Sequence, residues 1–237
     1  MLAAGKSTRI ASVAGGRPKP LLEVQRETVL SRNLRWLSTQ GIKRVWINLH
    51  YRPDEIQAAI GDGARFGLTV QYVYEPDILG TAGAVRNLSS EWDKTLLVVY
   101  GDSLLSFDLH GFFEFHRARQ ACLSIALFDR ERHRHTGIAG GQVKLAADGQ
   151  LEAFCEGEAG QTPPLVNAGV YLIEPEVVAT IPTSQVCDFG RDLFPRMLSD
   201  GQRLYGYLIT GYCLGIDTPE SYEQAMRLIK SGEVVLS

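Results

Sequence analysis

Apolar and polar positions follow two rhythms along this chain. KRVWINLH (43–50), TVQYVY (69–74) and TLLVVY (95–100) are apolar, β-branched runs of strand length, and the third is nearly continuous, as in a strand buried on both faces. Between them, residues 28–39 set Leu30, Leu34 and Leu37 on one helical face, and Pro53 with Asp54 and Glu55 opens a helix before Ile56 and Ile60. Strands alternating with helices predict right-handed crossovers and a largely parallel sheet, with MLA at the front as its first strand.

After residue 120 the rhythm changes. LSIALF (123–128), QVKLAA (142–147), LEAFCE (151–156) and VNAGVYLI (166–173) read as strands with little helix between them, and Asp148-Gly149 marks a hairpin. This predicts an added mixed or antiparallel lobe over the carboxyl end of the sheet, where open α/β sheets bind ligands. A helix at about 219–230, opened by Pro219 and Glu220, follows.

At 237 residues and 45% hydrophobic, the chain can fill one core with a lobe. A net charge of −3, without any basic run, argues against nucleic acid or an anionic membrane as partner. No apolar run is long enough to cross a bilayer, and no signal peptide is seen. Cys122, Cys155, Cys187 and Cys213 form no CxxC pair, which predicts reduced, mostly buried thiols and a cytoplasmic location. His133 and His135 have no third ligand nearby and read as part of a solvated basic turn.

The opening MLAAGKSTRI contains GKST, the end of a P-loop, but Gly5 would be the second glycine of that motif and its partner would lie before Met1. A glycine turn with hydroxyls and Arg9 still describes a backbone that can cradle phosphate. In RPKPLLEV, Pro18 and Pro20 stiffen the chain on both sides of Lys19, so two cations, Arg9 and Lys19, flank that cradle. LGTAGAVRNL (79–88) is a second glycine-hydroxyl turn running into a helix, either an approach for a flat ring and an anion or a plain helix start capped by Thr81. Asp102 follows a buried strand and a glycine, a position suited to Mg2+ held together with nucleotide phosphates. Asp108 is an alternative ligand but is read first as a helix cap, and Asp217, in GIDTPESY, as a second carboxylate or a helix start.

Taken in order, LAAGKSTRI, RPKPLLEV, LGTAGAV, YGDSL, VNAGVYLI and GIDTPESY resemble the sugar-1-phosphate nucleotidylyltransferase family, over nearly the whole chain. The resemblance implies a Rossmann-like GT-A α/β fold: a mostly parallel mixed sheet flanked by helices, with a small β-rich sugar-binding lobe. It implies one domain over 1–237, with a nucleotide-binding half (1–120) and a half holding the sugar-binding lobe and closing helices (121–237). The substrates would be a nucleoside triphosphate and a sugar 1-phosphate, the cofactor Mg2+, and the assembly a monomer or homodimer. By the same resemblance, Ala3, Ala4, Gly5, Lys6, Ser7 and Thr8 would hold base and phosphates, with Arg9 on the triphosphate and Lys19 on the reacting phosphates. Glu75 lies near the base-side segment, and Gly80, Thr81, Ala82 and Gly83 would line the nucleobase pocket. Asp102 would bind Mg2+, and Gly137, Glu156, Asn167 and Gly169 match positions that contact the sugar.

Three departures are visible. The chain begins almost at the cradle, so its first strand is expected to be a stub or its start truncated. The family's Glu-Lys-Pro reads Glu156-Gly157-Glu158 here, which shifts sugar-phosphate binding toward Lys19 or Arg130–Arg134. The second metal carboxylate has moved two residues along to Asp217, which on an extended strand points to the same face. GTP with a mannose- or heptose-type phosphate is the favoured substrate pair, on DFGRDLFPRML (188–198) and the VNAGVYLI strand. The alternatives are a UTP-dependent N-acetylmuramate-phosphate enzyme, a CTP-dependent cytidylyltransferase of the same fold, and a non-catalytic nucleotide-sugar-sensing subunit.

Overall fold

The computed structural model describes residues 1–88, 93–136, 140–156, 164–183 and 185–236. In chain order, the first half runs α1 (Ala11–Ala14), β1 (Glu23–Val24), β2 (Glu27–Thr28), α2 (Val29–Thr39), β3 (Arg44–Leu49), α3 (Pro53–Ile60), β4 (Thr69–Tyr74), α4 (Gly80–Asn87), β5 (Leu96–Val99), β6 (Ser103–Ser106) and α5 (Leu109–Ala118). The second runs β7 (Leu123–Asp129), β8 (Gln142–Leu145), β9 (Leu151–Cys155), β10 (Leu165–Ile173), α6 (Pro175–Thr180), α7 (Phe194–Ser199), β11 (Leu204–Leu208), β12 (Tyr212–Gly215) and α8 (Pro219–Lys230). Helices pack around a mixed sheet.

The helix starts follow from local chemistry. Thr28 Oγ1 accepts from Ser31 N at the head of α2, and Asp108 Oδ1 accepts from Gly111 N at the head of α5. Thr218 and Ser221 form a reciprocal capping box on α8. Leu30 and Leu34 are fully buried along α2, each stabilising the fold by roughly 1.5–3 kcal/mol.

The sheet departs from the sequence expectation in its second half. β3 and β4 are parallel, as are β7 and β11, but β10 runs antiparallel to both β5 and β7. Every residue of β7 is buried, so β7 and β10 belong to the main sheet rather than to an added lobe. An apolar run reports that a strand is covered on both faces and says nothing about which strand it pairs with. What projects is the β8–β9 hairpin, where Gly149 takes a positive φ as the Asp-Gly turn requires.

The MLA strand is reduced to bridges made by Leu2, parallel to Asn48 on one side and to Tyr100 on the other. Leu2 N donates to Val99 O, and Gly101 N donates to Leu2 O, both at 2.8 Å. The opening loop therefore starts from a fixed point between β3 and β5.

The thiols are free: Cys187 and Cys213 are buried, while Cys155 is exposed. His133 is tied down rather than solvated, with Nδ1 at Asp129 and Nε2 2.8 Å from Ile209 O. His135 stacks on Phe128. Among the described residues no helix is long and apolar enough to cross a membrane.

Candidate active site

Asp102 sits just before β6, and Asp217 lies two residues past the end of β12. These strands pair antiparallel with Gly215 opposite Ser103, so the register brings the two carboxylates together. Lys19 joins them. Its Nζ donates to Asp102 Oδ2 at 2.7 Å and to Asp217 Oδ1, and its side chain is only 9% exposed. Burial pulls the Lys19 ammonium down, but the charges of Asp102 and Asp217 outweigh it and raise it above the ordinary lysine value. Arg9 stands 3.5 Å from Asp217 with most of its side chain exposed.

The backbone around this cluster is fixed from several directions. Lys19 opens a short 3-10 turn between its two prolines, and its N–H donates to Ser7 Oγ at 2.7 Å. Ser7 itself adopts φ +56°, which turns the chain into the 3-10 turn carrying Arg9. Ala3 N donates to Asn48 Oδ1 at 2.7 Å, and Asn48 Nδ2 donates to Glu75 Oε1 at 3.0 Å. Glu75 is 1% exposed, and burial raises its carboxyl above the usual range despite the Asn48 and Leu79 hydrogen bonds and the His50 charge, which lower it.

Two cavities meet at the cluster. The first, about 190 Å³, is lined by the opening loop, including Ala3, Gly5, Lys6, Ser7, Thr8 and Arg9, together with Lys19, Asp102 and Asp217. The second, about 250 Å³, shares Arg9, Asp102 and Asp217 and continues to Thr81, Glu156, Asn167, Gly169, Asp188 and Arg191. Its floor forms where β10 shifts register between Asn167 and Tyr171, leaving β8 for β5. Gly169 at this bulge has φ +72° and its N–H donates to Asn167 Oδ1, while Asn167 Nδ2 donates to Tyr171 Oη at 2.8 Å. Burial pushes the neighbouring Tyr100 hydroxyl, which lines this cavity, up to about 12.

The glycine turn at 79–83 is held by a segment distant in sequence. Thr81 does not cap α4 through its own side chain. Asp188, distant in sequence, accepts from Thr81 N at 3.0 Å and from Thr81 Oγ1 at 3.2 Å, while Ala82 N and Gly83 N both donate to Cys187 O. A protein carboxylate thus already occupies the anion position at this helix N-terminus. Gly80 lies against the same segment, where a Cβ would meet Cys187 O at 2.5 Å. Of Gly80, Thr81, Ala82, Gly83 and Glu75, Thr81 is the one that lines either of these two cavities.

Of the remaining sequence candidates, Gly137 lies outside the described residues, as do Gly157 and Glu158. In the basic turn after β7, Arg132 pairs with Asp129 and Arg134 with Glu233. Asn48 and Arg191 were missed. Asn48 carries a signal, a lone polar residue inside an apolar strand. Arg191, on a single π turn (Phe189–Leu193), carries none.

The carboxylate pair fits a divalent cation shared with substrate phosphates, because Mg2+ is commonly held by one or two carboxylates and completes its shell with phosphate and water. Among the described residues no group of three or more His, Cys, Asp or Glu side chains forms a metal site made by protein alone.

A family model described as "Nucleotidyl transferase" matches residues 1–232. The chain is 31% identical over 224 residues to a mannose-1-phosphate guanylyltransferase of Mycobacterium tuberculosis, covering 94% of this chain and 61% of that protein. It is 25% identical over 228 residues to the D-glycero-alpha-D-manno-heptose 1-phosphate guanylyltransferase of Aneurinibacillus thermoaerophilus, covering 96% of each. Among solved structures, HddC from Yersinia pseudotuberculosis superposes with a TM-score of 0.80 at 24% identity, over 95% of this chain and 96% of that one. This likeness shows the fold.

Proposed function

The chain belongs to the nucleotidyl transferase family, and from that premise we propose that it joins a nucleoside triphosphate to a sugar 1-phosphate, releasing pyrophosphate. GTP with a mannose- or heptose-type phosphate is the pair we favour, supported by the relatives named for those reactions. We assign the reaction to the cytoplasm, on the unpaired thiols.

The observation that carries this reading is the convergence of Arg9, Lys19, Asp102 and Asp217 where two cavities meet. The first cavity takes the nucleotide along the loop from Ala3 to Arg9, and the second takes the sugar, with Asn167, Glu156 and Tyr100 facing its hydroxyls. A phosphate monoester is already anionic near neutral pH, so its oxygen attacks the α-phosphorus in line without a protein nucleophile or strong base. As that P–O bond forms, the bond to the β-phosphate oxygen breaks and pyrophosphate leaves. The protein's task is to align two anions and offset their repulsion. Lys19 and Arg9 supply positive charge at the junction. Asp102 and Asp217 would hold Mg2+, which when bound contributes charge neutralisation and orients the phosphates.

Pyrophosphate release with a panel of nucleoside triphosphates and sugar phosphates tests the assignment. Loss of Asp102 or Lys19 should cost about 2–4 kcal/mol of barrier. Near-normal release by Asp102→Ala or Lys19→Ala would exclude the proposed site.

A further inference from the structure

We infer that in the free protein the Lys19 ammonium takes the place of a divalent cation between Asp102 and Asp217, so that the metal is admitted only with the phosphates that draw Lys19 away. The inference rests on reading these two aspartates as the metal-holding carboxylates.

Three observations carry it. Lys19 Nζ contacts both carboxylates at once, and almost none of the side chain is exposed. An ammonium has three donors and no lone pair, so it cannot join a coordination shell and must leave before a metal bridges the pair. With Arg9 also 3.5 Å from Asp217, two carboxylates face two cations, and the free site offers little net attraction to a divalent ion.

The backbone of Lys19 is pinned by its prolines and the Ser7 hydroxyl, whereas its four-carbon stem can swing. A triphosphate lying along the first cavity presents oxygens within that swing. Once Lys19 turns to them, the carboxylates are released and the same phosphates complete the ligand shell of the metal. Nucleotide and metal then bind with positive coupling, each opening the site for the other.

The test is Mn2+ titrated into the full chain without nucleotide, followed by the electron paramagnetic resonance signal of free Mn2+. Wild type should bind weakly. Lys19→Met should bind one Mn2+ about tenfold or more tightly, as removal of an internal competitor requires, and adding Asp102→Asn should abolish the gain. A non-hydrolysable triphosphate should give wild type tight Mn2+ binding beyond that of the triphosphate alone in a protein-free control. Lys19→Gln repeats the measurement with a neutral polar side chain should the Met variant fold poorly. Wild type binding nucleotide-free Mn2+ as tightly as both Lys19 variants would overturn the inference. Pyrophosphate release is scored separately: tighter Mn2+ binding by the variants, with no turnover by wild type on any substrate pair, would sink the functional reading and leave this one standing.

Discussion

Asn48 holds Ala3 and Glu75 on the two ends of one carboxamide, accepting from the first and donating to the second. A buried side chain in β3 thereby fixes the start of the loop that runs from Ala3 to Arg9. Asn48→Ala leaves both partners unpaired, and unpaired buried polar groups cost about 1–3 kcal/mol. The expected result is a lower melting temperature and a raised KM for the nucleotide, with KM for the sugar phosphate little changed. An equal rise in both would argue against a loop-positioning role.

Glu75 gives the chain a stability that depends on pH in a predictable direction. Its folded-state carboxyl is raised by burial, so the folded form favours the protonated acid. The contribution is present in full below the unfolded-state value and is lost as pH rises through the folded-state one. Glu75→Gln keeps an acceptor for Asn48 and removes the buried charge. Melting curves should show the variant gaining on wild type between pH 5 and pH 8; a gap constant with pH would contradict the assignment.

Gly169 is required twice over, by φ +72° and by the Tyr100 ring, which a Cβ would approach to 3.0 Å. Gly169→Ala is expected to cost about 1–3 kcal/mol. Gly41 shares a positive φ of 85° but has nothing within 4 Å of a Cβ, so Gly41→Ala isolates the backbone strain. Thermal denaturation of both should place Gly169→Ala clearly lower.

Arg191 faces the second cavity and stands 3.8 Å from Asp188, with most of its side chain exposed. If it meets the sugar phosphate there, Arg191→Met should raise KM for that substrate about tenfold, the scale of one lost charged hydrogen bond. KM for the nucleotide should stay near wild type, and Arg191→Lys should recover part of the loss. Equal effects on both substrates would place Arg191 outside the sugar-phosphate site.

How far the sequence reached depends on how local each cause is. Lys19 between two prolines, Asp102 beyond a buried strand and the caps of α5 and α8 are written in adjacent residues, and the structure draws Lys19, Asp102 and Asp217 into one cluster. The bond from Thr81 to Asp188 spans 107 positions, so no window along the chain displays it. The pairing of β10 with β5 and β7 was hidden for the same reason, since burial shapes composition and partner choice does not. Arg191 reaches its cavity through one π turn, which has no periodic signature.

The bonds from Lys19 to Asp217 and from Thr81 to Asp188 span 198 and 107 positions. Translation delivers these partners late. While the first hundred residues emerge from the ribosome, a lysine destined for burial has no carboxylate to meet, and the amides of α4 have no cap. Contacts of such long separation are slow to form, because loop closure precedes any gain from them. The nascent chain can build β3, β4 and the helices around them early, but the cluster of Lys19, Asp102 and Asp217 closes only after β12 has been made.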